Sequence, residues 1–184
     1  KALIVNWIPH CIRKISDPDL REGGINNLID AANKLAGREH GRHRGYVFSN
    51  AWVFNTIESI CVALMIDPQG NADIAQAQAD MRQTLEDWIP KVLAAQEPDG
   101  YLQTAFTLSD RQRWSPRHRG DHEGYVAGYF LEAAVSHYLL TEGKDTRLYD
   151  AAKRLADCWY DHIGPPPKQE WFDGHQAMKI ALVR

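Results

Sequence analysis

Two stretches of this chain carry almost no charge, and they alternate with two that carry many charges. Ala51–Ile66 holds a single charged residue, Glu58, and Tyr125–Thr141 holds only Glu132. Asp73–Gln96 and Asp145–Ile163 follow them. One has Asp80, Arg82, Glu86, Asp87 and Lys91 spread along it; the other has Arg147, Asp150, Lys153, Arg154, Asp157 and Asp161. A helix that is apolar all round must be buried on all sides, whereas an amphipathic one faces water on one side. Hairpins of one inner and one outer helix produce this order. A double-shelled α/α barrel is such an arrangement. A helical bundle or a solenoid is the alternative, and no fixed-period repeat favours the solenoid.

Helix signals dominate throughout, and no segment alternates over a strand length. A first helix is predicted over Ala2–Ile15, stopping before Asp17-Pro18, and a second over Gly24–Leu35, ending at Gly37. Pro90 is expected to kink or restart the helix that contains it. Pro98-Asp99-Gly100 is a turn, residues 101–121 read as a long loop, and a last helix begins near His175. The whole of 1–184 reads as one domain. In a barrel, the loops at 37–50, 97–123 and 164–175 would share one end, and they hold most of the His, Arg, Trp and Tyr outside the helices.

The chain has 184 residues and a net charge of −3. That length supports one substantial core, and that charge argues against a nucleic-acid partner. The basic runs Arg38–Arg44 and Arg111–Arg119 contain Gly or Pro and read as solvated loop. No apolar run reaches the roughly 20 residues needed to span a bilayer, so no membrane is expected. No signal peptide is visible. The chain starts at Lys1 and stops inside an apolar pattern at Ala181-Leu182-Val183-Arg184, which suggests a fragment. Cys11, Cys61 and Cys158 are odd in number and far apart, giving neither a disulfide framework nor a zinc motif. They leave the compartment open, with a periplasmic or secreted setting favoured over the cytoplasm.

The polar residues that stand out lie at helix starts. His122-Glu123-x-Tyr125 precedes one apolar stretch, and Asp173-Gly174-His175 precedes the last helix. Each His alone reads as a cap or a satisfied local hydrogen bond. The pair, with Tyr101, Trp114, Tyr125 and Trp171 nearby in the pattern, points to a site. Aromatic faces beside polar groups suit carbohydrate, whose C–H faces stack and whose hydroxyls hydrogen-bond. His122 and His175 would donate to hydroxyls. Glu123 would accept from them, orient a histidine, or simply favour its helix N-terminus. Glycoside hydrolysis commonly needs two carboxyl groups. Glu58, Asp99, Asp121, Glu123, Glu132 and Asp173 qualify by type, but no spacing selects a pair. A nucleophile elbow, a P-loop and a Rossmann fingerprint are absent. His118 and His122 have metal-ligand spacing, but Gly120 between them argues against a helix there.

Taken in order, these blocks resemble the catalytic domain of the β-L-arabinofuranosidase family of glycoside hydrolases. The resemblance runs over almost the whole chain. It rests on Trp7-Ile8-Pro9, Gly45-Tyr46-Val47-Phe48, Ile57-Glu58, Ala95-Gln96 and Asp99-Gly100-Tyr101-Leu102-x-Thr104. It continues through His122-Glu123-x-Tyr125, Glu132-Ala133-Ala134-Val135, Leu155-Ala156-Asp157 and Gly174-His175 to Ala181-Leu182-Val183. The resemblance implies an all-α (α/α)6 barrel, of which this chain would supply about the first half. It implies an exo-acting, retaining glycosidase that releases a terminal sugar from plant-type glycans. His122, His175, Glu123, Tyr125, Tyr101 and Trp114 are the candidate substrate-binding residues. The family's zinc, its cysteine nucleophile and its glutamate acid/base would lie beyond Arg184, with no zinc ligand in this chain. The chain departs from the family at Tyr129, where a His is common, and at Ala177 and Lys179, where two Glu are common. Lys179 reads as a surface change, or as a feature suited to an acidic sugar. The other class of reading is a non-catalytic helical carbohydrate-binding or interaction module. Expected partners are a carbohydrate substrate and either a second copy or the missing half of the chain.

Overall fold

A computed structural model describes residues 1–184. A π-helical turn (Leu3–Trp7) runs into α1 (Ile8–Ser16). Then come α2 (Ile25–Leu35), α3 (Asn50–Leu64), α4 (Ala72–Ala94) and a short α5 (Thr104–Thr107). A 3-10 segment (Pro116–Asp121) precedes α6 (Glu123–Leu140), α7 (Arg147–His162) and α8 (Ala177–Leu182). There is no sheet, only an isolated bridge between Ile163 and Gln169.

The helices form two layers. α1, α3, α6 and α8 are successive neighbours in one, and α2, α4 and α7 in the other; the layers meet where α3 packs on α4 and α6 on α7. The charge pattern explains this sorting. α3 and α6 bury most of their residues, among them Phe54, Ile57 and Ile60 on α3 and Val126, Phe130 and Ala133 on α6, and α3 leaves only one strip open, with Trp52, Ser59 and Val62 exposed on it. Phe54 and Phe130 meet between them with ring centroids 5.0 Å apart. α4 and α7 bury one stripe, Met81, Leu85, Trp88 and Ile89 on the first and Leu148, Ala151, Leu155 and Cys158 on the second. The chain is thus a two-layered portion of an α/α barrel, as its alternation implies.

Two expectations need correction in detail. α4 runs unbroken through Pro90 rather than restarting there; the helix forgoes one ladder bond, and the buried Trp88, Ile89 and Val92 around it hold its course. The stretch 101–121 is not one loop. It contains α5 and the 3-10 segment, both short and stabilised by tertiary contacts rather than by periodicity. Thr104, at the start of α5, donates through its N–H and its hydroxyl to Asn50 Oδ1, each at 2.9 Å.

The three loops rich in His and aromatic residues do gather at one end. Gln103 Nε2 donates to the carbonyls of Val47 (3.0 Å) and Asp121 (3.2 Å). Gln169 Nε2 donates to the Trp114 carbonyl (2.6 Å), and the Gly174 N–H to the Arg119 carbonyl (3.1 Å). This is the end where α3 and α6 begin. No helix is long and apolar enough to cross a membrane.

Candidate functional site

The start of α6 builds the site. Its N-cap, His122, has φ 59° and ψ 32°, the left-handed region that a non-glycine residue rarely adopts, and its side chain makes no capping bond. The histidine is therefore not the cap. Asp173, some fifty residues away, does that work. Its Oδ2 accepts from the N–H of Gly124, and from that of Tyr125 at 3.1 Å. These are the second and third residues of the helix, the donors an N-cap side chain normally satisfies. Asp173 Oδ1 accepts from the His175 N–H at 2.8 Å, so one carboxylate starts α6 and shapes the turn that presents His175.

Two glycines make that docking possible. A Cβ on Gly124 would lie 2.9 Å from Asp173 Oδ2. A Cβ on Gly128 would lie 2.6 Å from backbone atoms of Ala177 and Met178. Four residues apart, they share a face of α6, and over that face lie the 173–176 turn and α8.

His122 and His175 come together on this end, with ring centroids 4.5 Å apart. Tyr125 stands 5.5 Å from His122 and 5.7 Å from His175. Phe48 meets His122 edge-on at 4.9 Å, and Tyr129 lies 4.6 Å from Tyr125. Tyr46 stacks on Phe48 at 5.2 Å, with Trp52 edge-on to both. His175 is exposed, and His122, Tyr125 and Tyr129 are half-buried. Desolvation, then the nearby His175, lowers the His122 pKa from its ordinary 6.5. A neutral imidazole both donates and accepts. His122 Nδ1 is buried and has no partner, as in a site whose polar groups are incompletely engaged.

The other predicted residues lie underneath. Glu123 is only 2% exposed. Its Oε1 accepts from the Trp114 N–H (2.6 Å) and its Oε2 from the Tyr101 hydroxyl (2.5 Å). Burial pushes the Glu123 pKa from the ordinary 4.5 to about 7, although both hydrogen bonds pull it the other way. Tyr101 and Trp114 are buried as well, with ring centroids 5.8 Å apart. Arg113 caps the Tyr101 ring at 3.8 Å and is itself tied to Glu97 and Asp99. Trp114 has φ 53°, a second left-handed residue, held by its bond to Glu123. Such a conformation costs on the order of 1 kcal/mol. The structure thus sets Tyr101, Trp114 and Glu123 beneath the histidine rim as a supporting hub, with no free ring face for stacking on a ligand.

Several residues of the site went unnoticed in the sequence. Asp173 was counted only as a carboxylate by type, yet the pair Gly124 and Gly128 marks α6 as a helix approached closely by another segment. Tyr46 and Phe48 lie in the Gly45-Tyr46-Val47-Phe48 block that carries part of the resemblance, but neither they nor Trp52 are read from the sequence as rim residues.

The residues present do not fit a zinc site of their own. No group of three His, Cys, Asp or Glu is placed to hold a metal. Burial raises the Cys61 and Cys158 thiols to about 12 and about 11, making them poor thiolates.

A double layer of helices with histidine and aromatic rings at the inner-helix N-termini places this chain among the α/α-barrel domains. The family model described as beta-L-arabinofuranosidase, GH127 catalytic domain, matches residues 11–184, and the chain belongs to that family. It is 30% identical over 172 residues to a non-reducing end beta-L-arabinofuranosidase of Bifidobacterium longum subsp. longum, covering 90% of this chain and 24% of the relative. A solved GH127 beta-L-arabinofuranosidase from Geobacillus stearothermophilus T6 superposes with a TM-score of 0.79 at 25% identity, over 98% of this chain and 27% of that one. A second solved GH127 beta-arabinofuranosidase gives 0.75 at 28% identity, over 96% and 26%. The chain spans about a quarter of the length of these relatives.

Proposed function

We propose that this chain is the sugar-holding part of an exo-acting, retaining glycosidase that releases a terminal β-L-arabinofuranosyl residue from plant-type glycans. The observation that carries this reading is the meeting of His122 and His175 at 4.5 Å on one rim beside Tyr125. Two imidazole rings present their nitrogens to adjacent hydroxyls, and the tyrosine and Phe48 edges offer an apolar wall. The hub of Glu123, Tyr101 and Trp114 fixes the rim so that binding need not order it. Family membership supports the reaction class. The nucleophile, the acid/base and the zinc would come from residues outside these 184. A retaining route releases product of unchanged anomeric configuration. Time-resolved NMR of the sugar released by the full-length protein from a β-L-arabinofuranoside checks this. First-formed β product supports retention; first-formed α product, or no product, contradicts it.

One observation favours a second reading, a non-catalytic carbohydrate-binding module. The carboxylates nearest the rim, Glu123 and Asp173, are both consumed in structural hydrogen bonds. Sugar binding by the full-length protein without turnover would select that reading. The exposed apolar side chains Leu3, Trp7, Val62, Ile66, Ile180 and Leu182 form surface that we propose is covered by the remainder of the barrel or by a second copy.

A further inference from the structure

α6 has one open strip. From Glu123 to His137 every residue is buried except Tyr125, Tyr129, Glu132 and Val135, which are half-buried and recur every three or four positions. Tyr125 heads this strip and belongs to the rim, 5.5 Å from His122 and 5.7 Å from His175. Tyr129 follows one turn deeper, about 6 Å along the helix axis. Its ring meets that of Tyr125 edge-on, with centroids 4.6 Å apart. It is the first side chain of the strip beneath the rim.

The strip is tied to its neighbours on both sides of this ring. Glu132 pairs with Arg184, just past α8, and the same guanidinium reaches Glu58 on α3 at 3.2 Å. Ser136 donates to Glu58 at 3.4 Å. These bonds join α3, α6 and α8 about one turn below Tyr129. Beside Tyr129, the backbone of Ala177 and Met178 rests on Gly128. The ring thus sits between an occupied rim above and an ionic bridge below. Tyr129 is also a position where this chain departs from its family, so its role here is this chain's own.

We propose that Tyr129 is the floor beneath the sugar held at the rim, and that it selects a pentofuranose over a hexofuranose. The inference rests on the exo-acting glycosidase reading above. In an exo-acting enzyme the scissile bond faces the mouth, because the rest of the glycan must leave that way. The opposite end of the sugar, its exocyclic carbon, then points inward along the strip. In a pentofuranose that end is a single hydroxymethyl group. In a hexofuranose it is longer by one hydroxymethylene unit, which needs the space that the Tyr129 ring fills. A packed site resists added atoms.

The test uses the full-length protein as wild type, Tyr129→Phe, Tyr129→Leu and Tyr129→Ala. Each is assayed for kcat/KM on aryl β-L-arabinofuranoside and aryl α-D-galactofuranoside. The second sugar has the same ring configuration and carries the one extra exocyclic unit. Wild type is expected to favour the arabinofuranoside. The ratio of the two specificity constants is expected to shift toward the galactofuranoside about tenfold in the Leu and Ala variants, the scale of one carbon unit in a pocket. It should stay within about twofold of wild type in the Phe variant, which keeps the ring. A ratio within about twofold of wild type in both shortened variants overturns the assignment, as does loss of both activities together in both. A shift in the Phe variant as large as in the Ala variant overturns the steric basis, and wild type that prefers the galactofuranoside overturns the selection itself. Wild type that hydrolyses neither glycoside fails the glycosidase reading, and is told apart because no variant is then needed.

Discussion

His122 and Glu123 are neighbours in the chain and belong to opposite regions of the molecule. The histidine stands at the rim with His175 and Tyr125, half-exposed and with a ring nitrogen unsatisfied. The glutamate turns inward, where Tyr101 and Trp114 engage both of its oxygens. The left-handed backbone at His122 separates them, since it turns the chain from the 3-10 segment into α6 within one residue. The rim is open and leaves a histidine nitrogen unbonded, whereas the hub is closed around a carboxylate with both oxygens engaged. Their difference teaches that a polar motif at a helix start divides its labour. One residue is held in place so that the other can be offered to a ligand.

Substitutions that strike the hub should change stability, and those at the rim should change affinity. The largest expected effect is Asp173→Ala in the full-length protein. It removes the acceptor for the N–H groups of Gly124, Tyr125 and His175 and leaves the first two without a partner near the core. A loss of about 2–3 kcal/mol is expected, combining a lost cap with an unsatisfied buried donor. Urea unfolding measures it, and a change under about 0.5 kcal/mol would remove Asp173 from the hub. Gly128→Ala comes next. Its Cβ would sit 2.6 Å from the backbone of α8, which must shift, at a cost of about 1–3 kcal/mol. An unshifted melting temperature would show that α8 does not rest on α6 as described.

Smaller and more specific is the pH dependence of the hub. The Glu123 carboxyl is raised from the ordinary 4.5 to about 7, so the folded chain keeps a proton that the unfolded chain loses. The stability this contributes is complete below pH 4.5 and is lost as pH rises through about 7. Glu123→Gln cannot ionise. The melting temperature of wild type should fall relative to that variant between pH 5 and pH 8. Parallel curves would contradict a buried, raised carboxyl at this position.

Much of the frame was legible in the sequence. The near absence of charge in Ala51–Ile66 and Tyr125–Thr141 marked α3 and α6 as the buried layer, because burial punishes charge over a whole helix and leaves a signal many residues long. The two histidines were legible as a pair because each sits at a helix start beside aromatic residues. The inward turn of Glu123, Tyr101 and Trp114 was not. Nothing in the spacing of 101, 114 and 123 shows that α5 and the 3-10 segment fold those residues beneath the rim. The role of Asp173 was hidden for the same reason, since a cap normally lies next to its helix and this one comes from across the layer. Pro90 does not restart the helix, because tertiary packing carries α4 through a position where local backbone rules allow either a kink or a restart.

The rim should show the smallest change in stability and a clear change in binding. His122→Ala and His175→Ala remove partly or fully exposed side chains, so each should alter unfolding free energy by no more than about 0.5 kcal/mol. The affinity of the full-length protein for L-arabinose, measured by calorimetry on wild type and both variants, tests the central claim directly. Each variant is expected to raise Kd about two- to tenfold, the loss of one hydrogen bond to a hydroxyl, with its melting temperature held. Unchanged Kd in both, or losses that follow a fallen melting temperature, would show that the two histidines serve the fold and not a sugar.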